Sequence, residues 1–323
     1  MKIRAFGANS VRVTPIGLGL AALGRPAYIN LGRDRDLGAD RSLSLMEHRC
    51  HEVLDAAYDG GIRYIDAARS YGYAEAFLAS WLASRDFEGD APTIGSKWGY
   101  SYVGNWQMNA PAHEVKDLSV ANLTKQIKES QELLGSYLRL YQIHSATLES
   151  GVLEDRAVLD ALAGLAASGL IIGFSVTGPR QGETIRKALA VQVNGANPFG
   201  AVQATWNLLE TSAGAALSEA HAAGWGVIIK EGLANGRLTD RNRAALPESI
   251  VEAADAAGTA VDTLALATAL SQPWADVVLS GAVNPAQLQS NLRAVDARPF
   301  NGWQETARPP QEYWSQRAEL GWG

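Results

Sequence analysis

The chain has 323 residues with a formal net charge of −6, 47% hydrophobic and 19% charged residues, a composition typical of a globular protein with a sizeable core. This charge, and the lack of any Lys/Arg run, argue against nucleic acids and anionic membranes as partners, because both bind through cationic patches. The one cysteine, Cys50, excludes an internal disulfide. No apolar block follows Lys2 and Arg4, so we expect a cytoplasmic protein with no signal peptide or membrane span.

Residues 2–13 are predicted to form a β-hairpin around Gly7-Ala8-Asn9. Short apolar runs, most of them continuous as in strands buried on both faces, then alternate with amphipathic stretches. The runs begin near Ile16, Ile62, Thr93, Leu138, Leu170, Ala201, Val227 and Asp276. Eight strands alternating with helices favour a parallel (β/α)8 TIM barrel over an open doubly wound sheet. With no repeat or Pro/Ser linker, we expect residues 1–323 to form a single domain.

Helix signals lie between these runs. One apolar helical face ends at Gly60-Gly61 and consists of Met46, Cys50, Val53, Leu54 and Ala57. Ser119 and Asn284 are predicted N-caps, and Pro285 stands at the first helical position of what we expect to be the last regular helix.

Two long segments do not fit the alternation. Residues 24–44 are polar and residues 99–117 are rich in aromatics. Loops of this length in a compact domain are usually functional, and each of these follows a predicted strand. In a barrel we therefore expect both at the face that carries the chemistry.

Ionisable residues end three of the predicted strands. These are Asp66, Lys97 and His144, and Tyr71 follows Asp66 by five residues. Because the carboxyl ends of barrel strands meet at one face, we expect the four side chains to converge. A purely structural ion pair between Asp66 and Lys97 is the alternative, but it does not explain why Tyr71 and His144 also stand at matching positions in the chain.

Together these groups could reduce a carbonyl. A tyrosine holds its proton at neutral pH, and an adjacent Lys97 ammonium is expected to lower the pKa of Tyr71. Tyr71 then serves as general acid or base, Asp66 keeps Lys97 charged, and His144 orients the substrate oxygen by a hydrogen bond.

The segments "YIDAARSYG", "GSKWG" and "LYQIHSA" resemble the aldo-keto reductase superfamily, and the resemblance runs from "PIGLGL" at Pro15 to "NPAQLQSNL" ending at Leu292. It implies a barrel enzyme that transfers a hydride between a nicotinamide dinucleotide and an aldehyde, ketone, sugar or alcohol. It also implies that Asp66, Tyr71, Lys97 and His144 are the catalytic tetrad.

The resemblance further implies a set of cofactor-binding residues. Ser175 and Gln203 would hold the carboxamide, Trp206 would stack on the nicotinamide ring, and Val176 departs from the usual Asn. The pyrophosphate loop and the adenosine-phosphate site would contain Gly232, Leu233, Gly236, Gly281, Asn284, Gln287 and Asn291. The resemblance favours NADP(H), the usual cofactor of the family. NAD(H) is the alternative, since Gly281, Ala282 and Gln287 stand where relatives place cations.

Aromatic residues are candidates for the substrate pocket. Tyr28, Trp98 and Trp106 follow the first and third barrel strands and are predicted to form an aromatic wall, with local packing as the alternative. In relatives the C-terminal tail, with its own aromatics, often covers the same mouth. His48 and His51 lack an evident third ligand, so we expect no metal site.

Two other functions stay open at this stage. Some relatives are redox-sensing subunits of larger assemblies, and a hydrolase or lyase could use the same barrel without a nicotinamide. The sequence does not identify the substrate beyond a small carbonyl or alcohol, the direction of reaction or the oligomeric state.

Overall fold

The protein, described over residues 1–322 by a computed structural model, is built around a closed barrel of eight parallel strands. The strands, including those of two hairpins, are β1 (Arg4–Phe6), β2 (Asn9–Val13), β3 (Ile16–Gly19), β4 (Tyr64–Asp66), β5 (Thr93–Trp98), β6 (Tyr100–Tyr102), β7 (Glu114–Lys116), β8 (Leu138–Ala146), β9 (Ile171–Val176), β10 (Ala201–Thr205), β11 (Gly226–Lys230) and β12 (Val277–Ser280). The barrel order is β3-β4-β5-β8-β9-β10-β11-β12, closed by pairing of β12 with β3. The predicted (β/α)8 barrel and its eight strand positions are confirmed.

Helices follow every barrel strand and cover the outside of the barrel. They are α1 (Arg33–Leu37), α2 (Leu43–Asp59), α3 (Ala74–Ala83), α4 (Val120–Leu134), α5 (Arg156–Ala167), α6 (Gln181–Leu189), α7 (Gly214–Ala222), α8 (Glu248–Ala256), α9 (Val261–Leu270), α10 (Pro285–Leu292) and α11 (Pro310–Ala318). The predicted caps are confirmed, because the Ser119 and Asn284 side chains accept hydrogen bonds from Asn122 N and Gln287 N. Among the described residues no helix is long and apolar enough to cross a membrane.

The N-terminal hairpin is confirmed and closes the amino-terminal end of the barrel. Strands β1 and β2 pair antiparallel, and Phe6 is fully buried against the first residue of β11, Gly226. A Cβ at Gly226 would lie 2.4 Å from the Phe6 ring, so only glycine fits beneath it. The carboxyl ends of the strands, where chemistry is expected, stay accessible.

The two long segments contain regular structure that was not predicted. The first holds α1, and the second folds as an antiparallel hairpin of β6 and β7. The prediction that the helix after Asn284 is the last one is wrong, because α11 begins at Pro310. Its buried Tyr313 and Trp314 pack with the apolar residues of α8 and α9 in a second core cluster.

Candidate active site

Four ionisable side chains meet at the carboxyl ends of three adjacent strands. Asp66 ends β4, Lys97 lies near the end of β5 and His144 near the end of β8, while Tyr71 follows β4. A cavity of about 510 Å³ opens above them, and Asp66, Tyr71 and His144 line it. The structure therefore brings together the four side chains that the sequence singled out.

Lys97 is the centre of the hydrogen-bond network. Its ammonium has no exposed surface and donates to a carboxylate oxygen of Asp66, to the carbonyl oxygen of Ala67 at 2.9 Å and to the Tyr71 hydroxyl at 3.3 Å. The second oxygen of Asp66 accepts from Nε2 of Gln203 at 2.9 Å. The charge pair is thus buried but fully hydrogen-bonded, which is what a buried ion pair requires.

Tyr71 holds its proton tightly in this structure. Burial, followed by the charge of Asp66, raises the pKa of Tyr71 well above its usual value, and Arg25 opposes that rise only in part. The net shift is opposite to the lowering expected from Lys97, because the desolvation of the phenol and the charge of Asp66, which is paired with Lys97, outweigh it. At neutral pH Tyr71 is a proton donor.

His144 is neutral for a similar reason. Burial, then the charges of Lys97 and Arg25, lower the pKa of His144 well below its usual value. Its Nδ1 lies 3.2 Å from the Ser70 hydroxyl, and its ring meets the Tyr71 ring edge-on with centroids 5.5 Å apart. If Ser70 donates to Nδ1, the neutral ring carries its proton on Nε2 and can donate it to a ligand. No sequence pattern pointed to Ser70.

The predicted cofactor-binding residues fall into two groups. Those that line the cavity are Gln203, Gly232, Leu233, Gly236, Gly281, Gln287 and Asn291. Ser175 is buried just outside the lining, where its hydroxyl accepts from Ser145 N at 2.8 Å, and Asn284 caps α10.

Trp206 does not reach the cavity, so the structure corrects the prediction that it stacks on a nicotinamide ring. Its indole is fully buried and packs edge-on against Trp274 and Trp303, with ring centroids 5.8 and 5.2 Å away. It follows β10 directly, but on the side that faces the helical layer.

Two buried amides indicate that the cavity accepts a polar ligand. Asn30 and Asn235 line the cavity, and their side-chain oxygens are buried with no hydrogen-bond partner among the described residues. Gly281 leaves open space at the end of β12, where a Cβ would meet nothing within 4 Å. Unpaired buried polar atoms call for a partner, and a dinucleotide offers hydroxyls and an amide to satisfy them.

Only one of the three predicted substrate aromatics lines the cavity. Tyr28 does, whereas Trp98 is fully buried in the main core. Trp106 lies on a separate cavity of about 530 Å³, packs edge-on against Tyr73 and donates to the carbonyl oxygen of Arg41. The structure corrects the wall prediction for both tryptophans, because both are used in packing.

The pocket is also lined by ion pairs that the sequence analysis missed. Arg25 bonds Glu114 at 2.9 Å, and its guanidinium lies 4.7 Å from the ring centroid of Trp322 in the C-terminal tail. Glu231, at positive φ just after β11, pairs with Arg317 of α11. No local sequence pattern pointed to either pair, because Arg25 and Glu114 are 89 positions apart and Glu231 and Arg317 are 86 apart.

Burial affects the pKa values of the two charged residues at the end of β11 in opposite ways. Burial lowers the pKa of Lys230 to about 8, although Glu231 acts to raise it. Burial acts to raise the pKa of Glu231, but Lys230 and Arg317 together lower it to about 2. Glu231 is therefore ionised at neutral pH, and it is committed mainly to Arg317.

The far part of the cavity is built differently, around Asp36 from α1. One carboxylate oxygen of Asp36 accepts from Nε2 of Gln287 at 2.7 Å and from Arg241 at 2.8 Å, and the other accepts from Arg241 as well. Gln287 belongs to α10 and Arg241 follows β11. This three-residue bridge crosses the predicted adenosine site. Within residues 1–322 no group of three or more His, Cys, Asp or Glu could hold a metal ion.

Comparison with known proteins gives consistent matches. The model of the Aldo/keto reductase family matches residues 15–304. The chain is 23% identical over 323 residues to a Bacillus subtilis protein named as an uncharacterized oxidoreductase, YqkF, and the match covers 92% of each chain. It is 25% identical over 207 residues to the Saccharomyces cerevisiae protein named "Putative aryl-alcohol dehydrogenase AAD14". That match covers 62% of this chain and only 50%, or about half, of the yeast protein.

The fold also matches solved structures. The aldo-keto reductase AKR11C1 from Bacillus halodurans, in its holo form, superposes with a TM-score of 0.69 at 21% identity. The superposition covers 99% of this chain and 97% of that one. At this level of identity the likeness supports the barrel fold.

Proposed function

Because this chain belongs to the aldo/keto reductase family, we propose that it transfers a hydride between a nicotinamide dinucleotide and the carbonyl or alcohol carbon of a small substrate. The observation that carries the proposal is the contact between the buried Lys97 ammonium and the Tyr71 hydroxyl, beside a neutral His144. A hydrolase or lyase would leave this arrangement without a shared role.

In the reduction, each residue has a distinct task. When bound, a reduced nicotinamide would supply the hydride that the carbonyl carbon receives. Tyr71 gives its proton to the carbonyl oxygen, and the phenolate that results is stabilised by Lys97. His144 donates a hydrogen bond that holds the oxygen in line with Tyr71. Asp66 keeps Lys97 charged and in place, and solvent returns the proton to Tyr71.

The dinucleotide would be held by the residues that line the rest of the cavity. Gln203 is placed beside the reacting groups, and the turn with Gly232, Leu233 and Gly236 supplies backbone that a pyrophosphate can approach closely. Asn291, near the C-terminal end of α10, lines the part of the cavity proposed for the adenosine, and its side chain donates to the Ser280 hydroxyl at 2.8 Å. Ser175 and Asn284 would act from behind the cavity surface by holding the neighbouring backbone.

The substrate class is proposed from the mouth of the cavity. Tyr28, Tyr100 and Trp322 present aromatic surface there, which suits an aromatic aldehyde, an aromatic ketone or the apolar face of a sugar. The name of the yeast relative, a putative aryl-alcohol dehydrogenase, agrees with the first of these.

The test follows the absorbance of NADPH, and separately NADH, while the protein is mixed with aromatic aldehydes and aldoses. We expect the wild type to consume reduced nicotinamide and Tyr71→Phe to lose nearly all of that activity. Full activity in Tyr71→Phe would overturn the mechanism. Failure to bind either dinucleotide would overturn the function. Tight binding without turnover would favour a redox-sensing subunit instead.

A further inference from the structure

The carboxylate of Asp36 stands in the part of the cavity where the resemblance places the adenosine ribose and its phosphate. Building on the proposed function, we propose that Asp36 makes this protein select NAD(H) over NADP(H). The two cofactors differ only at the 2′ position of that ribose, where NAD has a hydroxyl and NADP a phosphate. Asp36 would accept a hydrogen bond from the hydroxyl and repel the phosphate.

The position of Asp36 is fixed by neighbours on two other elements. Gln287 of α10 and Arg241 hold the carboxylate by the hydrogen bonds given above, and all three residues line the cavity. Gln287 is itself fixed, since its Oε1 accepts from Val283 N at 3.0 Å. The carboxylate is 10% exposed, so solvent screens its charge only in part.

The local charges are unfavourable for a phosphate. Asp240 and Asp262 line the same cavity as Asp36, and Asp240 is paired with Arg243 at 3.1 Å. The cations other than Arg241 that line this cavity are already paired with Glu114 or Glu231, and they are Arg25, Lys230 and Arg317. Both terminal nitrogens of Arg241 already bind Asp36. A 2′-phosphate, with a charge of about −1.5 to −2, would meet this group of carboxylates with no uncommitted cation to balance it.

The N-terminus of α10 does not compensate for this. Backbone N–H groups at a helix start can bind an anion, but here two of them already have partners. Val283 N donates to Gln287 Oε1, and Gln287 N donates to the Asn284 side chain at 2.9 Å. A ribose hydroxyl needs only one acceptor, and the Asp36 carboxylate has lone pairs left to provide it.

Binding, measured by calorimetry without turnover, tests the proposal. The titrants are NAD⁺, NADP⁺, ADP-ribose and 2′-phospho-ADP-ribose, of which the last two lack the nicotinamide. The variants are Asp36→Asn, which removes the charge at constant shape, and Asp34→Asn as the matched control. Asp34 lies on the same short helix, is 62% exposed and bonds Arg41 outside the cavity. Circular dichroism of each variant verifies its fold, and Asp36→Ser is the second replacement if Asp36→Asn does not fold.

We expect wild type to bind NAD⁺ at least about tenfold more tightly than NADP⁺, with the same preference in the ADP-ribose pair. Asp36→Asn should bring the ratio close to one, because it removes a negative charge and frees Arg241 for the phosphate. Asp34→Asn should keep the wild-type ratio.

Other outcomes separate the two proposals. Equal or tighter NADP⁺ binding in the wild type would mean that Arg241 exchanges Asp36 for the phosphate, which overturns the inference and leaves the proposed function intact. An unchanged ratio in Asp36→Asn would also overturn it. Binding of none of the four titrants would overturn the inference and the proposed function together.

Discussion

The Tyr71 hydroxyl accepts a hydrogen bond at 3.3 Å from the ammonium of Lys97, which is itself fully buried. Since Lys97 supplies the hydrogen of that contact, the proton of Tyr71 is free to be directed elsewhere. Tyr71 lines the cavity, so a ligand oxygen there can receive it. The same contact stabilises the phenolate after transfer, which links the position of Lys97 to the chemistry of Tyr71.

Removal of the Tyr71 hydroxyl should therefore abolish the chemistry but not the binding. We expect Tyr71→Phe to lower kcat by about 10²–10⁴-fold, the usual contribution of a general acid, and to leave the Kd for the dinucleotide within about twofold. Tyr73→Phe makes the same chemical change at a site that is 44% exposed and outside the cavity, and should behave as wild type. Equal losses in both variants would contradict the assigned role.

The buried ion pair between Asp66 and Lys97 should contribute strongly to the free energy of unfolding. Lys97→Met leaves the Asp66 carboxylate buried without its cation, which should lower the free energy of unfolding by about 3–5 kcal/mol. The double variant Asp66→Asn, Lys97→Met removes both charges and should recover part of that loss. Urea unfolding followed by circular dichroism measures both values. A Lys97→Met protein as stable as wild type would show that Asp66 is hydrated or protonated.

The sequence predicted what depends on local pattern. The barrel strands were recognisable because strands buried on both faces are apolar throughout, and the tetrad followed from the convergence of strand ends. Helix α1, with five residues, is too short to show periodicity, and the β6–β7 hairpin lies in a segment without regular alternation.

The rest depended on information that a linear pattern does not hold. A tryptophan after a strand can face the cavity or the helical layer, and Trp206 is on the second side. Glu231 and Arg317 are 86 positions apart, and Asp36 and Gln287 are 251 apart. Such pairs are set by loop and tail packing, so neither the pairs nor their effect on the pocket could be read from the chain.

The pH dependence of stability should carry the signature of His144. Its pKa is depressed in the folded protein, while the unfolded chain has the usual value of about 6.5. Below pH 6.5 the unfolded state thus binds one more proton than the folded state, so stability falls as pH decreases, by about 1.4 kcal/mol per pH unit. His144→Gln should lack this component between pH 6.5 and 5 in urea unfolding. Parallel curves for the two proteins would contradict the assignment.

The KM for an aromatic substrate should depend on Tyr28 and not on Trp106. Tyr28 lines the cavity, so Tyr28→Ala should raise the KM for an aromatic aldehyde about two- to tenfold through lost ring contact. Trp106→Ala removes a larger ring, but from the separate cavity beside Tyr73, and should leave the KM unchanged. Steady-state kinetics with benzaldehyde compares them. A larger rise in KM for Trp106→Ala than for Tyr28→Ala would support the aromatic wall that the sequence predicted.

Lys230 should contribute to the pH dependence of stability in alkaline solution. Its folded pKa is about 8 because burial disfavours the ammonium, whereas an unfolded lysine titrates near 10.4. Between these values the unfolded state keeps a proton that the folded state has released, so this group makes the protein more stable as pH rises from 8 to 10, by about 2–3 kcal/mol. Lys230→Met should lack that component, and Lys125→Met, with a 68% exposed side chain, controls for the loss of a charge. The difference in unfolding free energy between each variant and wild type, measured at pH 8, 9 and 10, isolates this component from the buried tyrosines. If that difference for Lys230→Met stays constant, Lys230 remains protonated in the pocket, and its positive charge acts on ligands throughout that range.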